Sequence, residues 1–113
     1  MSRPGQQELE ARLREVLEKA KEWKRVPVKS SPGIFVVKAP GTKGNPPSLL
    51  IELNPVDENN QPTKRRGLYV RSRRDLEGFR RLINDRNLDA LVSALEEVKG
   101  RREEEGESED LEI

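Results

Sequence analysis

Two short apolar segments separated by a turn-rich loop constrain the fold more than any other feature of this sequence. Ile34–Ala39 and Ser48–Leu53 each place apolar side chains alternately on two faces, as β-strands do. The loop between them, Pro40–Pro47, contains three prolines and two glycines, a composition typical of turns. The pair therefore predicts an antiparallel sheet, which commonly packs one face against helices.

The flanking segments predict helices and further strands around this pair. Apolar residues at spacings of three and four predict one helix over residues 6–24 and two more over residues 73–99, with Asn87 capping the last. Residues 25–72 read as the sheet, with added strands at Arg25–Lys29 and after Lys64. We therefore predict an α+β fold over residues 1–100 as one domain: an N-terminal helix, a three- to four-stranded antiparallel sheet and two C-terminal helices.

Charge is distributed unevenly along the chain. Residues 24–86 carry 14 Lys or Arg against six Asp or Glu, whereas residues 103–113 carry seven acids and no base. The basic part predicts a polyanionic partner. Residues 101–113 predict a disordered acidic tail. Three roles stay open for that tail: competition with nucleic acid, binding of a partner protein through Leu111 and Ile113, or solubility alone.

The most basic stretch is Lys64–Arg74, in which six of eleven residues are Lys or Arg. Strand alternation sends Tyr69 and Arg71 to one face and Leu68 and Val70 to the other. Bases stack on aromatic rings and Arg neutralises phosphate, so this pattern favours single-stranded nucleic acid. The alternative interpretation is a solvated edge strand with a basic rim.

The same alternation predicts an exposed apolar sheet face with a basic surround, which usually marks a binding site. The alternative is a face covered by the first helix or by a partner chain. Trp23 and Phe79, by contrast, fall on helical stripes and are assigned to the core. The candidate nucleic-acid-binding residues combine the ring-bearing or apolar positions with the basic ones: Phe35, Lys38, Leu50, Lys64, Arg65, Arg66, Tyr69, Arg71, Arg73 and Arg74.

Composition argues against catalysis. The 113 residues include no His and no Cys, which removes disulfides, Cys/His zinc sites and the most common general base. The acids of residues 1–100 are scattered, and Gly41–Gly44 lacks the Walker pattern. We therefore expect a protein that is not an enzyme and that holds no cofactor or metal.

Location and source are predicted by weaker signals. The sequence has no long apolar run that would span a membrane and no signal-peptide pattern, so we expect a cytoplasmic protein without a membrane partner. High charge, one Met, no Cys and an excess of Arg over Lys are typical of a thermophile.

The first helix carries a short heptad pattern. Leu9 and Val16 are seven residues apart, and so are Leu13 and Ala20. One interpretation is a helix packed on its own sheet. The other is a seam that also meets a second copy, and it makes Leu9, Leu13, Val16 and Ala20 a predicted interface of a homo-oligomer.

The element order, together with the segments Gly33–Lys38, Leu49–Leu53 and Gly67–Arg74, resembles the ThermoDBP-related proteins, single-stranded DNA-binding proteins of thermophilic archaea. The resemblance covers residues 8–99. It implies a DNA cleft beside the sheet and oligomerisation through helices. The founding member assembles through a C-terminal zipper, whereas the last residues here are acidic and lack heptads. The resemblance places Phe35, Leu50 and Tyr69 at bases and Lys64, Arg65, Arg66, Arg71, Arg73 and Arg74 at phosphates.

The layout is also similar to that of the Whirly and positive-cofactor-four group, which binds single strands on a curved sheet. Residues and resemblance together predict a sequence-tolerant single-stranded DNA-binding protein. Two alternatives remain: an RNA-binding or ribosome-associated module that uses the same residues, and a protein-interaction module that uses the apolar sheet face.

Overall fold

The structure, a computed structural model, describes the backbone of residues 4–112 and the side chains of residues 5–100. It confirms the predicted α+β fold with a four-stranded antiparallel sheet. The prediction of a disordered tail falls on residues 101–113, whose side chains lie outside this description. In chain order the elements are α1 (Pro4–Lys19), β1 (Arg25–Pro27), β2 (Ile34–Ala39), β3 (Ser48–Leu53), β4 (Leu68–Val70), α2 (Arg73–Ile83) and α3 (Arg86–Glu112).

The chain forms two compact units, Met1–Arg73 and Arg74–Ile113, where the sequence predicted one domain over residues 1–100. The first unit contains α1 and the whole sheet, and the second contains nearly all of α2 and α3. Within residues 4–112, no helix combines the length and the apolar character needed to cross a membrane.

The four strands lie side by side in sequence order, each antiparallel to the next. Their register gives the sheet two faces, because residues paired across strands point the same way. The front face carries Arg25, Pro27, Phe35, Val37, Ala39, Leu50, Glu52 and Tyr69, and the back face carries Val26, Ile34, Val36, Lys38, Leu49, Ile51, Leu53, Leu68 and Val70.

The front face holds the main buried cluster of the first unit. Phe35, Val37, Ala39 and Leu50 form this cluster, and Val56 and Tyr69 pack against it. The predicted exposure of Phe35 and Leu50 is wrong, because these side chains are only 5% and 2% exposed. The physical reason is that the loop after β3, which carries Val56, turns back over the apolar side chains and removes them from water.

Helix α1 ends at Lys19, five residues before the predicted end. The chain then turns toward β2: Glu22 pairs with Lys38, and the Trp23 N–H donates a 2.8 Å hydrogen bond to the Lys38 carbonyl. Trp23 has a left-handed backbone, with φ of 65°, which cannot continue a right-handed helix. Pairing with the sheet therefore overrides the helical stripe that runs through Trp23.

Three of the four predicted interface residues on α1 lie beside the chain's own sheet. Half-buried Val16 and Ala20 share a shallow pocket with Val26 of the back face. Leu13 lies beside Leu49 in another. Leu9 is exposed. Three of these positions thus lie near the chain's own sheet, and self-association through α1 stays a prediction.

The second unit exposes most of its apolar side chains. Leu76 and Phe79 of α2 are half-buried, but Leu82 and Ile83, predicted to lie on its buried face, are exposed. The α3 residues Leu88, Leu91, Val92, Leu95 and Val98 are 42–66% exposed. Asp85, and not Asn87, caps α3, because its Oδ1 accepts a 2.7 Å hydrogen bond from the Asn87 N–H.

Candidate functional site

A cavity of about 670 Å³, here called the groove, opens on the front face of the sheet. It brings together residues from the segment before β1, from β2 and β3, and from both sides of β4. Its walls combine two aromatic rings and four guanidinium groups with a single carboxylate. The lining residues are Trp23, Arg25, Val37, Glu52, Arg65, Arg66, Tyr69 and Arg71.

The carboxylate of Glu52 anchors the floor of the groove. Glu52 is 1% exposed. Arg25 donates two hydrogen bonds to it, from Nε to Oε1 at 2.6 Å and from Nη2 to Oε2 at 3.1 Å. Oε2 also accepts hydrogen bonds from the Gly67 N–H at 2.8 Å and from Asn54 Nδ2 at 3.1 Å. A buried carboxylate needs such partners, and here both oxygens have them.

These contacts keep both members of the pair charged. The hydrogen bond from Arg25 lowers the pKa of Glu52, and the donors on Gly67 and Asn54 lower it further, against the opposing effect of burial. The same hydrogen bond raises the pKa of Arg25. Four guanidinium groups less one carboxylate leave the groove with a formal charge of +3. Polyanions are attracted to a cleft of this sign.

The backbone of residues 64–67 is held by side chains and not by a strand ladder. Asn54 bonds both backbone groups of Lys64, donating to its carbonyl at 2.8 Å and accepting from its N–H at 3.1 Å. Arg25 Nη2 donates to the Arg65 carbonyl at 2.7 Å. These bonds explain why β4 begins at Leu68 and not at Lys64, and they fix the segment while the side chains of Arg65 and Arg66 stay exposed.

Gly67 makes the close approach of this segment possible. A Cβ atom at this position would overlap the carbonyl oxygen of Leu53. The absence of a side chain therefore lets the Gly67 N–H reach Glu52.

Two rings border the groove. Trp23 is 52% exposed, so its assignment to the core is wrong. Tyr69 is half-buried, and the Arg71 guanidinium carbon lies 6.0 Å from the centre of its ring, within the range of a cation–π contact. The groove thus offers aromatic surface next to cationic groups, as the alternation of Tyr69 and Arg71 predicted.

The structure brings together only part of the predicted binding set. Arg65, Arg66, Tyr69 and Arg71 line the groove. Phe35 and Leu50 belong to the buried cluster and are not among the lining residues of the groove. Lys38 lies on the back face, because strand alternation turns it away from Val37. Lys64, Arg73 and Arg74 are exposed but are not among the lining residues.

Sequence reasoning missed Trp23, Arg25, Glu52 and Asn54 as parts of this site. One signal was available: Glu52 interrupts an apolar strand, and a charge at such a position is almost never fully buried without a partner. Arg25, at the start of a neighbouring segment, was an available partner. No comparable signal marked Trp23, because its seven-residue spacing from Val16 is also what a helical stripe predicts.

The described residues offer little for metal binding or acid–base chemistry. Within residues 5–100, no three His, Cys, Asp or Glu side chains form a group that could hold a metal ion. Both oxygens of Glu52, the carboxylate of the groove, already accept hydrogen bonds from Arg25, Gly67 and Asn54.

No protein-family model, curated protein or solved structure matches this chain. The resemblance to the ThermoDBP-related proteins rests on the element order and on three sequence segments. The function is accordingly argued from the groove itself.

Proposed function

We propose that the chain binds single-stranded DNA in the groove, with little sequence preference and without catalysing a reaction. One observation carries the proposal: the rings of Trp23 and Tyr69 and the exposed side chains of Arg65, Arg66 and Arg71 line the same cavity. A base stacked on an aromatic ring contributes about 1–3 kcal/mol, and Arg contacts to phosphate add a salt-dependent term.

The exposed rings favour a single strand over a duplex. In a duplex the bases stack on one another, and their faces are not available to protein rings. A single strand can turn its bases outward onto Trp23 and Tyr69 while its phosphates meet the arginines. RNA offers the same chemistry, so a competition with an RNA of matched sequence separates the RNA-binding alternative.

The burial of the front face weighs against the protein-interaction alternative. That alternative requires an exposed apolar sheet face, but Phe35, Val37 and Leu50 are buried under the loop after β3. The groove on this side is lined mainly by charged and aromatic side chains.

Intrinsic tryptophan fluorescence can be used to measure DNA binding by this chain. Trp23 is the only tryptophan, and it lines the groove. Titration with oligothymidylate is expected to quench its fluorescence to saturation, because a stacked base contacts the indole directly. A duplex of the same length should quench it less at moderate salt. Binding of the duplex with equal or higher affinity would overturn the preference for single strands.

A labelled oligonucleotide provides the matching control. Its anisotropy should rise on binding of wild-type protein and of Trp23→Phe, which keeps a ring at the same place. Trp23→Ala should bind more weakly, by the loss of about one stacked base. No change in either fluorescence or anisotropy would reject the proposed function.

A further inference from the structure

A second cavity, of about 360 Å³, adjoins the groove on the front side of the first unit. Its lining residues are Trp23, Arg25, Pro27, Phe35, Asn60, Gln61 and Pro62. Trp23 and Arg25 line both cavities. A strand bound in the groove can therefore continue past the indole into this second cavity.

Backbone strain is concentrated on the walls of this second cavity. Within the described residues, Trp23 and Asn60 are the two non-glycine residues with positive φ, at 65° and 60°. Both line the cavity. Left-handed backbone is costly for Trp, whereas Asn adopts it readily in turns, and costly backbone of this kind clusters at ligand sites.

The loop that carries Asn60 is built to hold this conformation. Asp57 Oδ1 accepts hydrogen bonds from the Asn59 N–H at 2.8 Å and from the Gln61 N–H at 3.0 Å. The Asp57 N–H in turn donates to the Gln61 carbonyl at 2.9 Å, and the Asn60 N–H donates to the Asp57 carbonyl at 3.0 Å. The N–H of Asn60 and the N–H groups of its two neighbours thus all donate to Asp57, which holds the turn in place.

The side chain of Asn60 is left for a ligand. Among the described residues it makes no side-chain hydrogen bond, whereas its backbone N–H donates to the Asp57 carbonyl. A carboxamide carries an acceptor oxygen and a donor NH₂ group side by side. Adenine presents the complementary pair, the N7 acceptor and the N6 donor, which Asn commonly bonds together in the major groove of duplex DNA.

We propose that the second cavity is a base-reading subsite that favours adenine, stacked on Trp23 and hydrogen-bonded by the Asn60 amide. This inference rests on the proposed function and adds one selective position to an otherwise sequence-tolerant site. The arginines of the groove set overall affinity, whereas Asn60 sets base preference.

The test compares oligothymidylate of about 12 nucleotides with the same oligonucleotide carrying one central adenine. The wild-type protein should bind the adenine-containing strand at least about fivefold more tightly, the low end of what a bidentate base contact contributes. Replacing the adenine by 7-deazaadenine, which lacks the N7 acceptor, should reduce this advantage.

The decisive variant is Asn60→Gly. Glycine adopts positive φ without strain, so this variant removes the amide while the loop folds at least as well, which thermal melting checks. It should keep its affinity for oligothymidylate and lose the adenine advantage. Asn59→Ala is the matched control, because it removes the same amide from the same loop at a residue outside the cavity lining, and it should keep the advantage.

The outcomes separate the two proposals. If Asn60→Gly keeps the adenine advantage, or if the wild type has none, the base-reading subsite is rejected while binding of oligothymidylate still supports the proposed function. A preference for guanine or cytosine would likewise overturn the adenine assignment. If the wild type binds neither strand, both proposals fail.

Discussion

Arg25 of β1 and Glu52 of β3 are joined by a 2.6 Å hydrogen bond that passes over β2, the strand between them. The guanidinium carbon of Arg25 also lies 6.0 Å from the centre of the Phe35 ring on that middle strand. This ion pair therefore lies over the buried cluster and connects β1, β2 and β3. It also forms the floor of the groove. Its contribution to stability and to binding can be separated by experiment.

Glu52→Gln is expected to lower the free energy of unfolding by about 1.5–3 kcal/mol, the range for hydrogen bonds to charged groups. The variant keeps the shape of the side chain but leaves Arg25 without its counter-charge. Urea unfolding followed by circular dichroism measures the change. Glu58→Gln is the control, since Glu58 is exposed and its replacement should stay within about 0.5 kcal/mol of wild type. Equal stability of both variants would contradict the anchoring role of Glu52.

The same pair predicts how stability depends on pH. The hydrogen bond from Arg25 holds the pKa of Glu52 below its ordinary value of 4.5. The folded state therefore binds this proton less readily than the unfolded state, so the stabilisation is fully present above about pH 4.5 and is lost as the pH falls through the lowered value. Urea midpoints of wild type and Glu52→Gln should converge in acid. A constant gap between the two curves would show that the effect does not depend on the charge of Glu52.

Gly67→Ala and Gly78→Ala are expected to act in opposite directions. A Cβ at Gly67 would overlap the Leu53 carbonyl, so the first variant should lose about 1–3 kcal/mol of stability and shift the segment that holds Arg65 and Arg66. Gly78 lies inside α2 with no atom within 4 Å of an added Cβ, so the second should gain about 0.5–1 kcal/mol. Thermal melting measures both signs, and an unaffected Gly67→Ala would refute the close packing.

Arg65→Ala, Arg66→Ala and Arg71→Ala should each weaken binding of all single strands alike. Each lost phosphate contact should reduce the slope of log affinity against log salt by about 0.7. Fluorescence titrations at several salt concentrations measure this slope. Arg14→Ala is the control, because Arg14 is exposed on α1 and pairs with Glu10 at 3.7 Å outside the groove. A slope that stays constant in the three groove variants would place these arginines off the path of the strand.

Self-association is expected to depend on α3 more than on α1. Leu88, Leu91, Leu95 and Val98 follow the alternating three- and four-residue spacing of a coiled-coil seam and are exposed. Replacing Leu91 and Leu95 by Ser should reduce the mass seen by light scattering, whereas Leu13→Ser, beside the sheet, should lower the melting temperature and leave the mass unchanged. A monomeric wild type would end this expectation.

The sequence predicted the fold well because its signals were local. The alternation in Ile34–Ala39 and Ser48–Leu53 defined two strands with the observed bounds, and the stripes of α2 and α3 defined helices. The C-terminal end of helix α1 was predicted five residues too late, because the pairing of Glu22 and Trp23 with Lys38 depends on a strand that is distant in sequence. Periodicity carries no information about such a contact.

The candidate site was predicted only in part for the same physical reason. Tyr69 and Arg71 were found by alternation within one strand, whereas Glu52 meets Arg25 across 27 residues of sequence. Phe35 and Leu50 were placed on the correct face but predicted to be exposed, because nothing in the strand pattern indicated that the loop carrying Val56 covers them.

The way in which the backbone of residues 64–67 is held leaves the identity of most side chains in this segment free to change. The hydrogen bonds that Asn54, Arg25 and Glu52 make with that segment all involve its backbone atoms, so the fold specifies its path and not the side chains of Lys64, Arg65 and Arg66. At Gly67 the Leu53 carbonyl leaves no room for a side chain. Side chains at the three preceding residues can therefore be replaced while the backbone keeps its path. Such replacements can change the chemistry of the ligand that is bound without any change to the sheet.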